Sequence, residues 1–115
     1  MDLSKVKKIV EEILPKVIDK YGFSKFAECT PYVEYERMTH GDTPHAEYDN
    51  ITNSIIIYYP KMRSKKQIIQ TLIHEYQHYL QSPSWMTRYY RMGYRYDNHP
   101  YEIAAYNEEV NWNKI

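Results

Sequence analysis

The sequence predicts a small α+β domain in which about three β-strands pack on an N-terminal helix, a central helix and a C-terminal helix. Apolar residues recur at helical spacing near both ends of the chain and through its centre. Three short stretches rich in β-branched and aromatic residues lie between the first two helical stretches, as is typical of strands. A chain of 115 residues can bury one modest core. We therefore expect a single domain over residues 1–115.

Residues 3–21 are predicted to form an amphipathic helix that covers the sheet. Its apolar positions recur every three or four residues, at Val6, Ile9, Val10, Ile13, Leu14, Val17, Ile18 and Tyr21. Pro15 is expected to kink or split this helix, because proline lacks the amide hydrogen that a helix interior uses. Gly22 is the expected end, since glycine readily adopts the left-handed conformation that terminates helices.

Residues 32–38, 45–49 and 54–59 are the three predicted strands. The third is rich in isoleucine and is expected to be largely buried. Residues 41–44 and 50–53 have the composition of turns. The second and third strands should therefore form a hairpin.

The central helix is predicted to begin near Ser64, because Ser64 and Gln67 have the spacing of a capping box. Pro83 is expected to stop it soon after Gln81. On a helical wheel one broad apolar arc holds Ile68, Ile69, Leu72, Ile73, Tyr76, Tyr79 and Leu80. Gln67, Thr71, His74, His78 and Gln81 lie on the opposite side, with Glu75 at the border.

Two further helices are predicted towards the C-terminus. Residues 84–92 should form a short one that ends at Gly93. Residues 94–98 read as a loop, and the last helix should begin at Pro100, with His99 just before it. Ile103, Ala104 and Val110 are its expected inward positions.

Composition excludes several functional classes. The formal net charge is zero, which gives no general attraction to nucleic acid or acidic lipid. Cys29 is the one cysteine, so no intramolecular disulfide can form, which fits a reducing compartment. No secretory signal is visible, and the longest apolar run, residues 55–59, is too short to span a membrane. These features favour a cytoplasmic protein.

The sequence HExxH occurs at residues 74–78, inside the central helix. Residues four apart lie on one helix face, so His74 and His78 can bind one metal ion. Imidazole is a good zinc ligand, and Zn²⁺ prefers about four ligands. Glu75 lies about 100° round the helix from His74, where it can reach a water on the metal.

A catalytic zinc site usually has three protein ligands and a water. The residues just after His78 lack the glycine and histidine of a metzincin. Glu102 is the favoured third ligand, because it lies in the first turn of the last helix, where the helix dipole favours a carboxylate. His99 and Glu109 are the alternatives, and Glu109 or His99 could instead orient a metal-binding histidine.

The two motifs together, IHEYQHYLQ at residues 73–81 and HPYEIAAYNEE at residues 99–109, resemble the gluzincin metallopeptidases. The short chain is most similar to the minigluzincins, which are minimal soluble scaffolds related to the catalytic domains of certain integral-membrane metallopeptidases. By motif order the resemblance covers residues 54–111. Some small phage and viral proteins share this arrangement, which suggests a phage or viral origin.

The resemblance implies a zincin-like fold with zinc held by His74, His78 and Glu102, and with Glu75 as the general base. The expected reaction is hydrolysis of a peptide or protein substrate through a metal-bound water. Small members of this group can be latent, with a terminal segment over the cleft, and residues 111–115 are the candidate here.

Three further expectations concern catalysis. Glu75 should have a raised pKa, because Ile68 and Tyr79 are predicted to surround it. Tyr94, Tyr96 and Tyr106 are candidate hydrogen-bond donors to the oxyanion. An extended peptide should pair with an exposed sheet edge, for which residues 45–49 and residues 54–59 are the candidates.

Two alternatives belong to other functional classes. Residues 88–96 alternate arginine with aromatic side chains, and Lys61, Arg63, Lys65 and Lys66 precede the central helix, so association with single-stranded nucleic acid is one. It is not favoured, because the net charge is zero. The other is a zinc-stabilised interaction module, in which a fourth protein ligand closes the site. Cys29 could be that ligand or an inhibitory switch, and His40 and His45 could approach the metal, but none of the three is favoured.

Overall fold

The computed structural model describes residues 1–38, 41 and 44–115, which form an α+β domain with four helices and a mixed three-stranded sheet. In chain order its elements are α1 (Leu3–Tyr21), β1 (Tyr32–Glu36), β2 (Ala46–Asp49), β3 (Ser54–Tyr58), α2 (Lys65–Leu80), α3 (Pro83–Arg91) and α4 (Pro100–Glu108). Short 3₁₀ turns lie at Tyr59–Lys61, Tyr96–Asn98 and Glu109–Lys114. The predicted α+β class and the order of its elements are confirmed.

The sheet has the strand order β1-β3-β2, with β3 in the centre. β2 and β3 pair in antiparallel fashion, so the predicted hairpin is confirmed. β1 lies parallel to β3 on its other side. The prediction that residues 54–59 could be an exposed edge is therefore wrong, because β3 has a neighbour on both sides. Each strand is one or two residues shorter than predicted, and β3 ends where the turn at Tyr59 begins.

The core lies between α1, the inner face of the sheet and the apolar face of α2. Its fully buried side chains include Val6, Val17, Ile55, Ile57, Ile68, Leu72, Ile73 and Tyr76. The apolar arc predicted for α2 is confirmed, since six of its seven members are buried. Because this face is buried, the opposite side of α2, with His74 and His78, faces α4.

α1 is one unbroken helix, so the prediction that Pro15 splits it is wrong. Pro15 and Glu11 both lie on the exposed side of α1. Proline leaves the carbonyl four residues earlier without its helical partner, and on this side of the helix water can supply one. The helix ends at Gly22, as predicted, with a positive φ of 78°.

The last helix begins at Pro100 as predicted, but its inward face is different. Ile103 is 47% exposed and Val110 is 70% exposed, and Ala104 is also exposed, whereas Ala105 is buried. Glu102, which points to α2, fixes this rotation. Since successive helical residues differ by about 100°, the residue after Glu102 is turned away from α2.

Replacement of Pro15 by alanine should stabilise the protein by about 2 kcal/mol. Proline is about 3 kcal/mol less favourable than alanine inside a helix, and its stiffening of the unfolded chain offsets only about 0.4–1 kcal/mol of this. Urea unfolding of Pro15→Ala beside the wild type would measure the difference. Lys16→Ala, at the exposed neighbouring position, is the control and should shift stability by less than about 0.5 kcal/mol. A less stable Pro15→Ala protein would contradict this account of α1.

Candidate metal centre

The N-terminal cap of α2 fixes where its histidines lie. The Ser64 side chain accepts a hydrogen bond from the Gln67 amide at 3.1 Å, as the capping pattern predicted. The Gln67 side chain in turn accepts from the Arg63 amide at 2.7 Å. From this start the apolar face of α2 packs on the core, and His74 and His78 project towards α4.

Glu102 of α4 meets both histidines. One oxygen of its carboxylate contacts His74 Nε2, and the other lies 3.2 Å from His78 Nε2. Ligand atoms of the three side chains all lie within 4.8 Å of one another. The structure thus brings together the three predicted ligands, close enough to hold a metal ion.

The outer nitrogen of each histidine is also held. His74 Nδ1 lies 2.8 Å from Glu109 Oε2, and His78 Nδ1 lies 2.8 Å from Gln81 Oε1. The side-chain amide nitrogen of Gln81, Nε2, donates to the Tyr101 carbonyl at 3.0 Å. This bond orients the side-chain oxygen of Gln81 towards His78. Carboxylate and amide oxygens accept hydrogen bonds, so each Nδ1 carries a hydrogen, and once the ring is neutral its Nε2 has the lone pair that a metal requires.

The sequence identified Glu109 as a partner for a histidine, but it gave Gln81 no role. Gln81 is three residues after His78 and was already assigned to the polar face of α2. Side chains three apart on a helix are neighbours. The spacing of three residues could have identified Gln81 as a partner of His78. The bond that holds the Gln81 side chain comes from Tyr101 of α4 and depends on the tertiary structure.

The contacts within this group shift the pKa values of its members. Burial acts to lower the pKa of His74, but its hydrogen bonds with Glu102 and Glu109 outweigh this and raise the pKa to about 10. Burial acts to raise the pKa of Glu102, but hydrogen bonds with His74 and His78 lower it to about 2. A divalent metal ion and protons therefore compete for the same nitrogen atoms.

Glu75 is the buried carboxylate beside this group, with a residue exposure of 7%. Burial raises the pKa of Glu75 to about 7, although the charges of His78 and His74 act to lower it. The predicted upward shift and its cause are therefore confirmed. A carboxyl group with a pKa near 7 can both take up and release a proton at neutral pH.

A cavity of about 620 Å³ opens beside Glu75. One wall is formed by Glu75, His78 and Glu102, and a second by Ala46, Glu47 and Tyr48 of β2. α3 forms a third wall through Pro83, Met86, Thr87 and Tyr90. Pro44, Asn50, Gln81 and Tyr96 complete the lining. About half of the lining residues are polar or charged, and the rest are apolar or aromatic, so the cavity offers both kinds of contact to a ligand.

The three candidate tyrosines lie in different places. Tyr96 is 63% exposed but lines the cavity. Partial desolvation and the charges of Glu102 and Glu75 raise its pKa to about 12, so it is a neutral hydrogen-bond donor. Tyr94 packs its ring edge on Tyr89, with ring centres 5.6 Å apart. Tyr106 is 67% exposed. Neither Tyr94 nor Tyr106 is among the described residues that line the cavity.

His99 caps α4 and is fully buried, so it is not brought to the metal group. Its Nδ1 accepts from the Tyr101 amide at 3.1 Å, and its Nε2 donates to the Met86 carbonyl at 3.0 Å. Both ring nitrogens are thus used to join α3 to α4. His99 is a structural residue of this junction.

The remaining sequence candidates also lie apart from the metal group. His45 contacts Gln67, and the exposed Cys29 contacts Tyr32. His40 lies outside the described residues. In residues 111–115, Trp112 and Ile115 pack against the core, and none of the five lines the cavity.

The segment of residues 88–96 is used mainly for packing. The ring of Tyr89 lies between Trp85, Tyr94, His99 and Tyr101. The Arg88 guanidinium lies 4.9 Å from the ring centre of Trp85. Tyr90 and Tyr96 line the cavity. The tyrosines of this segment therefore form cavity walls and a small aromatic cluster.

Comparison of the chain with models of protein families, with curated proteins and with solved structures found no match in any of the three. No helix in the described part of the chain is long and apolar enough to cross a membrane. A function for this chain is therefore inferred from the site itself.

The affinity of the group for Zn²⁺ should rise with pH between about pH 6 and about pH 9. The pKa of His74 lies above its ordinary value, so the ring keeps a proton until the pH approaches 10, and a metal must displace that proton. Each proton released makes the affinity about tenfold higher per pH unit. Competition with a chelator of known affinity would measure this slope. Glu28→Gln, which removes an exposed carboxylate, is the control and should give the same dependence of affinity on pH. A wild-type affinity that does not change with pH would contradict the assignment of His74 as a metal ligand.

Glu109→Ala should lower the affinity for Zn²⁺ about 10- to 100-fold, because His74 loses the acceptor that orients it. Chelator competition at one fixed pH would measure the change. Glu108→Ala is the matched control, since Glu108 binds Tyr21 and Asn111 but not a histidine. Equal losses in the two variants would mean that the C-terminal turn as a whole, and not the contact with His74, supports the site.

Proposed function

We propose that this protein is a zinc-dependent metallopeptidase. One observation carries the proposal: the His74, His78 and Glu102 group lies beside a buried glutamate, in a cavity that also reaches a sheet edge. The resemblance of the two motifs to gluzincins supports the same function independently of the geometry.

The donor set fits zinc. Two imidazole nitrogens and one carboxylate oxygen are ligand types that zinc accepts, and this set with one open position is typical of catalytic zinc sites. Among the described residues the group has only these three members. A purely structural site would close the fourth position with another protein ligand. The cavity beside the group leaves room for substrate.

Zinc held by these residues would polarise a substrate carbonyl and lower the pKa of a bound water to about 7. Glu75 takes the proton from the attacking water and passes it to the amine that leaves. Burial holds the pKa of Glu75 near the pH at which both transfers are efficient. Glu109 and Gln81 keep the two imidazoles in position and in the required tautomer.

Tyr96 is the favoured donor to the negative oxygen that develops on the attacked carbonyl. It lines the cavity near Glu102, and its phenol stays protonated at neutral pH. Tyr48, Ala46 and Glu47 belong to the edge strand along the same cavity. An extended peptide that pairs with this edge would pass the metal group and Glu75.

The nucleic-acid alternative has less support. Among the described residues that line the cavity, three are glutamates and none is a lysine or arginine. Phosphate groups are held mainly by positive charge. The non-catalytic zinc module also has less support, because a structural site does not require a buried carboxyl group with a pKa near 7 beside an open cavity.

Removal of the proposed base and removal of a proposed ligand should have different effects. Glu75→Ala should keep one zinc per chain and lower peptide hydrolysis at least about 100-fold, because the attacking water loses its proton acceptor. Glu102→Ala should lose both zinc and hydrolysis. Elemental analysis and mass spectrometry of a digested peptide library would measure these outcomes.

The matched control is Glu108→Ala, which removes a carboxylate of the same helix that does not contact the group. It should retain both zinc and hydrolysis. An active Glu75→Ala protein would overturn the role of Glu75. A wild-type chain that takes up no zinc when it is offered would overturn the proposal as a whole.

A further inference from the structure

Strand β2 offers its free backbone groups to the cavity. The Tyr58 amide donates to the His45 carbonyl at 3.0 Å, so residues 45 and 58 are a hydrogen-bonded pair of the antiparallel ladder. Because such pairs alternate along a ladder, Glu47 is also bonded to β3, whereas Ala46 and Tyr48 direct their N–H and C=O groups to the other side. Within the described chain no strand occupies that side.

This alternation fixes how an added antiparallel strand would sit. Its hydrogen bonds would go to Ala46 and Tyr48, and one of its residues would lie directly opposite Glu47. That position is a non-hydrogen-bonded pair, in which side chains come closest, with Cα atoms about 4.5 Å apart. The side chain opposite Glu47 would point to the same face of the sheet as Glu47 itself.

The Glu47 carboxylate is held in place on that face. The Tyr58 hydroxyl donates to Glu47 Oε2 at 2.7 Å, and it reaches across from the neighbouring strand β3. Glu47 is exposed and lines the cavity, and none of the described residues forms an ion pair with it. Within the described part of the chain its other oxygen, Oε1, has no hydrogen bond or ion pair, so it can meet a cation on a bound strand.

We propose that Glu47 is the specificity-determining residue of this cleft and that it selects peptides with a lysine or arginine at the position opposite it. This inference rests on the proposed function, because it takes the bound molecule to be an extended peptide on β2. Opposite charges in a cross-strand pair stabilise the pair, and like charges destabilise it.

The same geometry assigns the flanking positions. Peptide residues opposite Ala46 and Tyr48 would point to the inner face of the sheet. The cavity beside β2 has an apolar part that includes Pro83, Met86 and Tyr90. Apolar side chains fit there. The favoured peptide therefore alternates apolar, basic and apolar residues, which matches the period of two of a strand.

The test reverses the charge at Glu47 and, separately, at the peptide residue opposite it. Three peptides with acetylated and amidated ends would differ only in a central lysine, glutamine or glutamate between apolar residues. Fluorescence anisotropy would measure their binding to the zinc-loaded Glu75→Ala chain, with and without Glu47→Lys. Mass spectrometry would follow cleavage of the same peptides by the wild-type chain.

The lysine peptide should bind about two- to fivefold more tightly than the glutamine peptide, and the glutamate peptide more weakly than either. Glu47→Lys should reverse this order, which a misfolded variant could not do. Glu34→Lys is the matched control: it makes the same charge change on the same face, on β1, with Ile56 between the two positions. It should keep the wild-type order.

The outcomes separate the two proposals. Cleavage without a charge preference would overturn the role of Glu47 and leave the peptidase proposal standing. An order of binding that reverses in Glu47→Lys, without cleavage of any peptide, would support the role of Glu47 and overturn the peptidase proposal. Equal reversal in Glu34→Lys, or no binding of any peptide, would each overturn the inference.

Discussion

The contact of the Glu102 carboxylate with both His74 and His78 is the interaction on which the arrangement of this site depends. A largely buried carboxylate loses hydration that pairing must replace, and two imidazoles on one helix face pair with both of its oxygens. The contact fixes the rotation of α4 against α2. It thereby brings Glu109 to the outer nitrogen of His74 and leaves Ile103 and Val110 exposed to solvent.

The core supports this arrangement from behind α2. Tyr76 and Tyr79 are almost fully buried, yet each uses its hydroxyl group: Tyr76 donates to the Gly22 carbonyl, and Tyr79 accepts from the Ser24 amide at 3.1 Å. These bonds tie α2 to the segment after α1. Tyrosine suits these two positions, since each ring fills part of a small core and each hydroxyl satisfies a backbone group that burial would otherwise leave unpaired.

Features that depend on local chemistry could be predicted from the sequence, and features that depend on distant contacts could not. The cap at Ser64, the end of α1 at Gly22 and the facing histidines follow from a few neighbouring residues. The inward face of α4 was predicted wrongly. Apolar and polar residues are spread around this helix and do not mark one face, so the sequence does not reveal which side meets α2. The parallel pairing of β1 with β3 and the anchoring of Gln81 by Tyr101 join residues far apart in the chain, and no local pattern encodes them.

The strand order also has a consequence for how the chain folds. The β2–β3 hairpin joins neighbouring segments through a short turn, so it closes with little loss of chain entropy. β1 precedes the hairpin in the chain but pairs with its second strand, so this parallel ladder requires a longer loop to close. Formation of the hairpin before β1 docks is therefore the entropically cheaper order. The edge of β2 that faces the cavity would then be present early in folding, and protection from pairing with other chains would depend on its short length and on Glu47 and Asp49.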